Sequence, residues 1–221
     1  MSDNFRFEIL REPELLAGYG GWTLEVYQDL LAIQQGHLTE AQFHEKYLET
    51  KAVLILDMTN FTESTIQFGP IVGFSRILDV QKVCLPVLQQ SNATRIRTFA
   101  DDITATFQDP HHALDASLEI HRRVSAFNTS KLASEHPAEA CIGLGYGPLF
   151  RIGPDLAMGN QMNQASKLGE DTANGGETLL TEAFFQIVAE RDDCLFEFRG
   201  EGNLGFPYFA AFAKGSTKQE G

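Results

Sequence analysis

The feature that most restricts the fold is a run of five apolar side chains, Ala52-Val53-Leu54-Ile55-Leu56, closed by the carboxylate of Asp57. A half-exposed strand alternates apolar and polar residues; this segment does not, so it reads as a strand buried on both faces. Such a strand needs neighbours on both edges and a core built around it. The 221 residues, 43% of them hydrophobic, supply one sizeable domain and leave little room for a second.

The flanking patterns fill in the rest. Over residues 22–50, Leu24, Val26, Tyr27, Leu30, Leu31, Phe43 and Tyr47 recur at helical spacing with a break near Gly36, which predicts a helical N-terminal extension over residues 1–50. Between residues 64 and 90, Ile66, Val72, Phe74, Ile77, Leu78, Val80, Val83 and Leu85 predict two helices parted by Gly69-Pro70. The segments 94–99 and 103–107 are rich in β-branched and aromatic residues and flank Ala100-Asp101-Asp102, the pattern of a hairpin with an acidic tip. A helix follows over 111–127, then a pair of glycine-rich strands at 141–147 and 149–152, a helix over 158–170, a strand at 177–180, a helix over 182–190, and two closing strands within 196–212. This order describes an α+β fold of the ferredoxin-like or palm type over residues 51–213: a mainly antiparallel sheet covered on one face by helices. Residues 214–221 read as a disordered tail.

Seventeen Lys and Arg against thirty Asp and Glu leave a formal charge of −13. That balance opposes binding to nucleic acid or to an anionic membrane, and an acidic protein that handles phosphates must neutralise them locally, as metal ions do. Cys84, Cys141 and Cys194 form neither a disulfide framework nor a zinc motif, so a reducing cytoplasm is the expected location. No apolar run approaches the ~20 residues of a membrane span, and the opening residues lack the pattern of a secretion signal.

Chemistry concentrates on two carboxylates. Asp57 closes the first core strand and Asp101 lies at the hairpin tip, so both converge on one sheet edge if the strands are neighbours. Hard oxygen donors of this kind suit Mg²⁺ or Mn²⁺. Spacing alone leaves open plain turn or helix-cap roles for the same residues.

Four segments in register tell more. VLILDMTNFT, RIRTFADDITATF, CIGLGYGPLF and MGNQMNQASKLGE follow the order and texture of the class III nucleotidyl cyclase catalytic domain, and the resemblance covers residues 52–212. It implies cyclisation of a nucleoside triphosphate to a 3′,5′-cyclic monophosphate with release of pyrophosphate, and two Mg²⁺ or Mn²⁺ ions per site. By that resemblance Asp57 and Asp101 are metal ligands together with the carbonyl of Met58. Thr59, Asn60, Phe61 and Thr62 form the turn whose N–H groups cradle the outer phosphates, Asn163 orients the ribose, and Lys167 stands where the family has its transition-state arginine. The resemblance also implies a homodimer with sites at the subunit interface, because Asn163 and Lys167 reach in from the partner.

The sequence departs from the family at the base-reading positions, which hold Arg97 and Leu156. Leu156 has no acceptor for the adenine amino group, although Asp155 adjoins it, and Arg97 is the electrostatic opposite of the glutamate typical of guanylate cyclases. Arg97 only donates hydrogen bonds, so it favours a base edge rich in acceptors. The chain resembles the stand-alone pyrimidine cyclases of anti-phage signalling, and the expected substrate is UTP, giving cyclic UMP. The alternatives are a cytidylate or adenylate cyclase and a degenerate domain that binds nucleotide without turnover; a diguanylate cyclase is disfavoured because Phe99-Ala100-Asp101-Asp102 lacks the paired glycines. His111 and His112 read as surface residues, Gly143, Gly145 and Gly147 as positions that permit a strand twist or a close backbone approach rather than a dinucleotide loop, and Arg199 as a weak candidate for phosphate contact.

Overall fold

The computed structural model describes residues 9–59, 61–130, 136–137, 139–153 and 157–215. In chain order the elements are α1 (Pro13–Gly18), α2 (Leu24–Gln34), α3 (Glu40–Tyr47), β1 (Leu48–Met58), α4 (Phe61–Phe68), α5 (Pro70–Gln90), β2 (Ala93–Phe99), β3 (Asp102–Phe107), α6 (Pro110–Asn128), β4 (Ala140–Arg151), β5 (Ala157–Met158), α7 (Asn160–Gly169), β6 (Thr178–Thr181), α8 (Glu182–Val188), β7 (Cys194–Gly200) and β8 (Tyr208–Ala213). They fall into two compact units: Met1–Glu49 with Phe150–Met158, and Thr50–Leu149 with Gly159–Gly221.

The smaller unit is helical, and its helices are set by their caps. Thr23 accepts from the Val26 N–H at the start of α2, and Thr39 and Gln42 form a reciprocal capping box on α3. Val26, Phe43 and Tyr47 pack with Ile152 and Phe150, the latter 5.8 Å from Phe43 between ring centroids. Thr23 N–H donates to the Ile152 carbonyl at 3.0 Å. Asp29 accepts from both Lys46 and Tyr47 at 2.7 Å, and burial followed by that bond pushes the Tyr47 hydroxyl up to about 12. A segment a hundred residues downstream thus completes the core of these helices, which hydrophobic periodicity within residues 22–50 gave no means of anticipating.

The larger unit holds the sheet, with strands in the order β2-β3-β1-β4-β6-β8-β7. Pairing is antiparallel at β2/β3, β1/β3, β6/β8 and β7/β8, and parallel at β4/β6, where α7 makes the crossover. The expected apolar strand is β1, in which all five residues from Ala52 to Leu56 are buried. On one face Leu54, Leu56 and Met58 join a core with Cys84 and Leu88 of α5, Leu114 and Ile120 of α6, and Phe184 of α8. Each such side chain stabilises by about 1.5–3 kcal/mol when fully buried. On the other face Leu168 of α7 packs on Leu179 and Ala210, whose neighbours Leu180 and Ala211 point into the first core. Helices therefore cover both faces, not one.

The glycines of β4 explain how α7 sits so close. A Cβ on Gly143 would fall on the Ala165 carbonyl and 2.7 Å from the Gly169 nitrogen, and one on Gly145 would lie 2.5 Å from the Gln161 carbonyl oxygen. Gly169 in turn rests on β1, where its Cβ would lie 2.8 Å from the Ile55 carbonyl. The anticipated pair of glycine-rich strands is one continuous strand of 12 residues. Pro148 does not turn the chain: it is exposed on the strand, and its fixed φ is compatible with extended backbone. Residues 216–221, and with them most of the tail, lie outside the described residues. Among the described residues no helix is long and apolar enough to cross a membrane.

Candidate active site

Alternation along three paired strands builds the floor of a cleft of about 220 Å³. Thr104 of β3 stands opposite Arg97 of β2 and Ile55 of β1, and Asp102 opposite Phe99, so these five side chains share one face. The roof is one stripe of α7, Met162, Asn163 and Ser166, continued by its C-cap residue Glu170, at spacings that put them on one side of a helix. Arg97 and Asn163, singled out separately in the sequence, line the same cleft. The Arg97 guanidinium lies 5.4 Å from the centroid of the Phe99 ring. Lys167, one turn beyond Asn163, is exposed.

Asp57 follows Ile55 by two residues and so belongs to the same face of β1. Burial pushes its carboxyl up to about 6; the Met58 N–H that it accepts opposes this, and the charges of Asp101, Asp102 and Glu170 add to it. Asp102 is also raised to about 6, by burial first and then by Glu170 and Asp101, with Arg97 acting in the opposite sense. Four carboxylates therefore face one region, and the electrostatics there favour a cation. Among the described residues no group of three or more His, Cys, Asp or Glu is poised to enclose a metal. Two carboxylates, Asp57 and Asp101, fit an ion that completes its shell with water and phosphate oxygens, as Mg²⁺ does, better than one that demands a full protein cage. Asp101 occupies a two-residue turn with Ala100, whose φ of 50° is a conformation that glycine adopts more readily.

Three of the four residues expected in the phosphate turn, Thr59, Phe61 and Thr62, are among the described residues. Thr59 N–H donates to the Glu139 carbonyl at 3.0 Å, and Thr59 Oγ1 accepts from Glu139 N–H at 3.2 Å. That N–H is engaged in joining the end of β1 to the start of β4, so Thr59 does not belong to a cradle of open donors. Phe61 and Thr62 open α4, where first-turn N–H groups have no partner within the helix. Asn60 and Leu156, with Asp155, lie outside the described residues. The buried side chain of Arg76 on α5 donates to the Thr59 carbonyl at 2.8 Å and the Pro137 carbonyl at 3.4 Å, tying the turn to the loop before β4. Arg199 pairs with Glu177 at 3.2 Å and Glu197 at 3.4 Å.

Phe99, Asp102, Thr104, Met162, Ser166 and Glu170 were not anticipated as cleft residues. The signal existed: period-two spacing from Arg97 reaches Phe99, and helical spacing from Asn163 reaches Ser166 and Glu170.

No protein-family model matches the sequence, and no curated protein matches it. Solved structures do resemble it. The guanylate cyclase domain of RhGC from Catenaria anguillulae, crystallised with GTP, superposes with a TM-score of 0.62 at 17% identity, over 75% of this chain and 97% of that one. The adenylyl cyclase CyaB from P. aeruginosa gives 0.63 at 16% identity, over 79% and 99%. The catalytic core of a rhodopsin-guanylyl cyclase with converted specificity, in complex with ATPαS, gives 0.64 at 18%, over 76% and 96%. The fold of this chain is that of the adenylyl and guanylyl cyclase catalytic domains.

Proposed function

We propose that the protein is a nucleotidyl cyclase acting on a nucleoside triphosphate, foremost UTP, as a homodimer whose product is a second messenger in anti-phage defence. The observation that carries this reading is the cleft in which Arg97 and Asn163 of one chain meet on a cyclase fold. The pyrimidine and anti-phage parts rest on base-reading positions that fit neither purine rule and on the chain's resemblance to stand-alone pyrimidine cyclases.

Arg97 donates to the acceptor edge of the base, and Asn163 holds the ribose so that its 3′ oxygen stands in line with the α-phosphorus. The first-turn N–H groups of α4 at Phe61 and Thr62 receive the outer phosphates. Asp57, Asp101 and the Met58 carbonyl are the groups that would hold Mg²⁺ or Mn²⁺, which when bound lowers the pKa of the 3′-hydroxyl and neutralises pyrophosphate. A bond forms between the 3′ oxygen and the α-phosphorus, the bond to the bridging oxygen breaks, pyrophosphate leaves, and the hydroxyl proton passes to solvent. Lys167 supplies positive charge to the pentavalent transition state without the two-pronged geometry of arginine. That substitution also supports a second reading, a domain that binds nucleotide and turns it over slowly or not at all.

Incubation with each of the four ribonucleoside triphosphates and Mn²⁺, followed by chromatography, tests the reading. Cyclic UMP is the expected main product; cyclic AMP would overturn the choice of base, and no cyclic product from any substrate would overturn the cyclase. Asp57→Ala and Asp101→Ala are each expected to lower turnover by at least about a thousandfold while leaving the melting curve in place.

A further inference from the structure

We propose that Phe99 is the positioning residue that sets base discrimination, by holding the Arg97 guanidinium in one plane at the cleft. The inference rests on the reading of Arg97 as the base contact. Phe99 is 65% exposed, a large apolar ring left in solvent at the end of β2. It lines the cleft with Arg97 and Asn163, and the Arg97 guanidinium sits over its ring at 5.4 Å, within reach of a cation–π contact. Asp102, the cross-strand partner of Phe99, brings a negative charge to the same guanidinium.

An arginine side chain carries many rotamers, and a solvated one reads a base poorly because ordering it offsets the hydrogen bonds formed. A ring on one side and a carboxylate beside it remove much of that freedom before the nucleotide arrives. The planar fork then meets acceptors at a fixed angle, and a base with the wrong edge cannot be met by rotation of the side chain. Phe99 need not touch the nucleotide for this, which separates its role from that of Arg97.

The test compares kcat/KM for the four triphosphates in the wild-type protein and in the variants Phe99→Ala, Phe99→Leu, Phe99→Tyr and Arg97→Ala, with oligomeric state followed by sedimentation. The ratio for the best over the next-best nucleotide is expected to fall by about tenfold in Phe99→Ala, toward that of Arg97→Ala. Phe99→Leu should behave like Phe99→Ala, and Phe99→Tyr should restore the wild-type ratio, since an apolar side chain cannot replace a π face. An unchanged ratio in Phe99→Ala, or a loss shared equally by all four nucleotides, would overturn the inference; such a shared loss with conversion to monomers would make Phe99 a contact between copies. If the wild-type protein cyclises none of the four, the cyclase reading fails separately, and the same ratio is read from equilibrium binding in Mn²⁺. Wild-type binding without preference among bases would then overturn the role of Phe99.

Discussion

His121 shows how a single residue couples the core to pH. Its Nε2 lies 2.9 Å from Thr178 Oγ1, joining α6 to β6, and burial pulls its pKa down to about 4 although Glu177 acts in the opposite sense. An unfolded histidine titrates near 6.5. The folded state therefore binds the proton less readily, so this residue's stabilisation is complete above about pH 6.5 and is lost as pH falls through about 4, on the order of 3 kcal/mol in all. Urea titrations at pH 7 and pH 4.5 should show a smaller drop in stability for His121→Gln than for the wild-type protein. Equal drops would mean that other groups govern acid sensitivity. Asp57 and Asp102 illustrate a different effect of burial, which together with neighbouring carboxylates makes each harder to ionise, up to about 6.

At the level of elements, the decisive contact is α7 on the bare backbone of β4. The helix carries Asn163, Lys167 and Glu170, and its distance from the sheet is fixed by what Gly143 and Gly145 lack. Gly143→Ala should push α7 outward, lowering stability by about 1–3 kcal/mol and turnover by more than tenfold, as read from urea denaturation and cyclisation rates. Normal turnover in that variant would mean that the position of α7 is not critical. The alternating glycines are compatible with a strand twist or a close backbone approach, and sequence periodicity has no means of choosing between them or of naming the partner. The same limit explains the other differences. β1, α4, α5 and the hairpin β2/β3 were legible because local pattern, Gly69-Pro70 and the acidic tip all agree. The roof residues Ser166 and Glu170 share helical spacing with Asn163, but which face of that helix matters is decided by strands far away in sequence. The bond from Thr59 to Glu139 spans 80 residues and left no local trace.

For the whole molecule, the proposed homodimer makes a prediction that no monomer can satisfy. If Asp57 serves one subunit's half of a site and Asn163 the other's, the variants Asp57→Ala and Asn163→Ala should each be inactive alone. Mixed and allowed to exchange, random pairing gives half heterodimers, each with one intact site, and activity should return to about a quarter of wild type. No recovery after exchange, confirmed by mass measurement of heterodimers, would place both residues in one subunit's site. A last consequence follows from Phe150 and Ile152, which belong to the core of the helical unit although they lie far down the chain. The extension is not a detachable module. Splicing it away at residue 50 strips the cover from two greasy anchors and leaves a sticky scar, so shuffling it between homologous chains succeeds only when the nine residues 150–158 are transplanted with it.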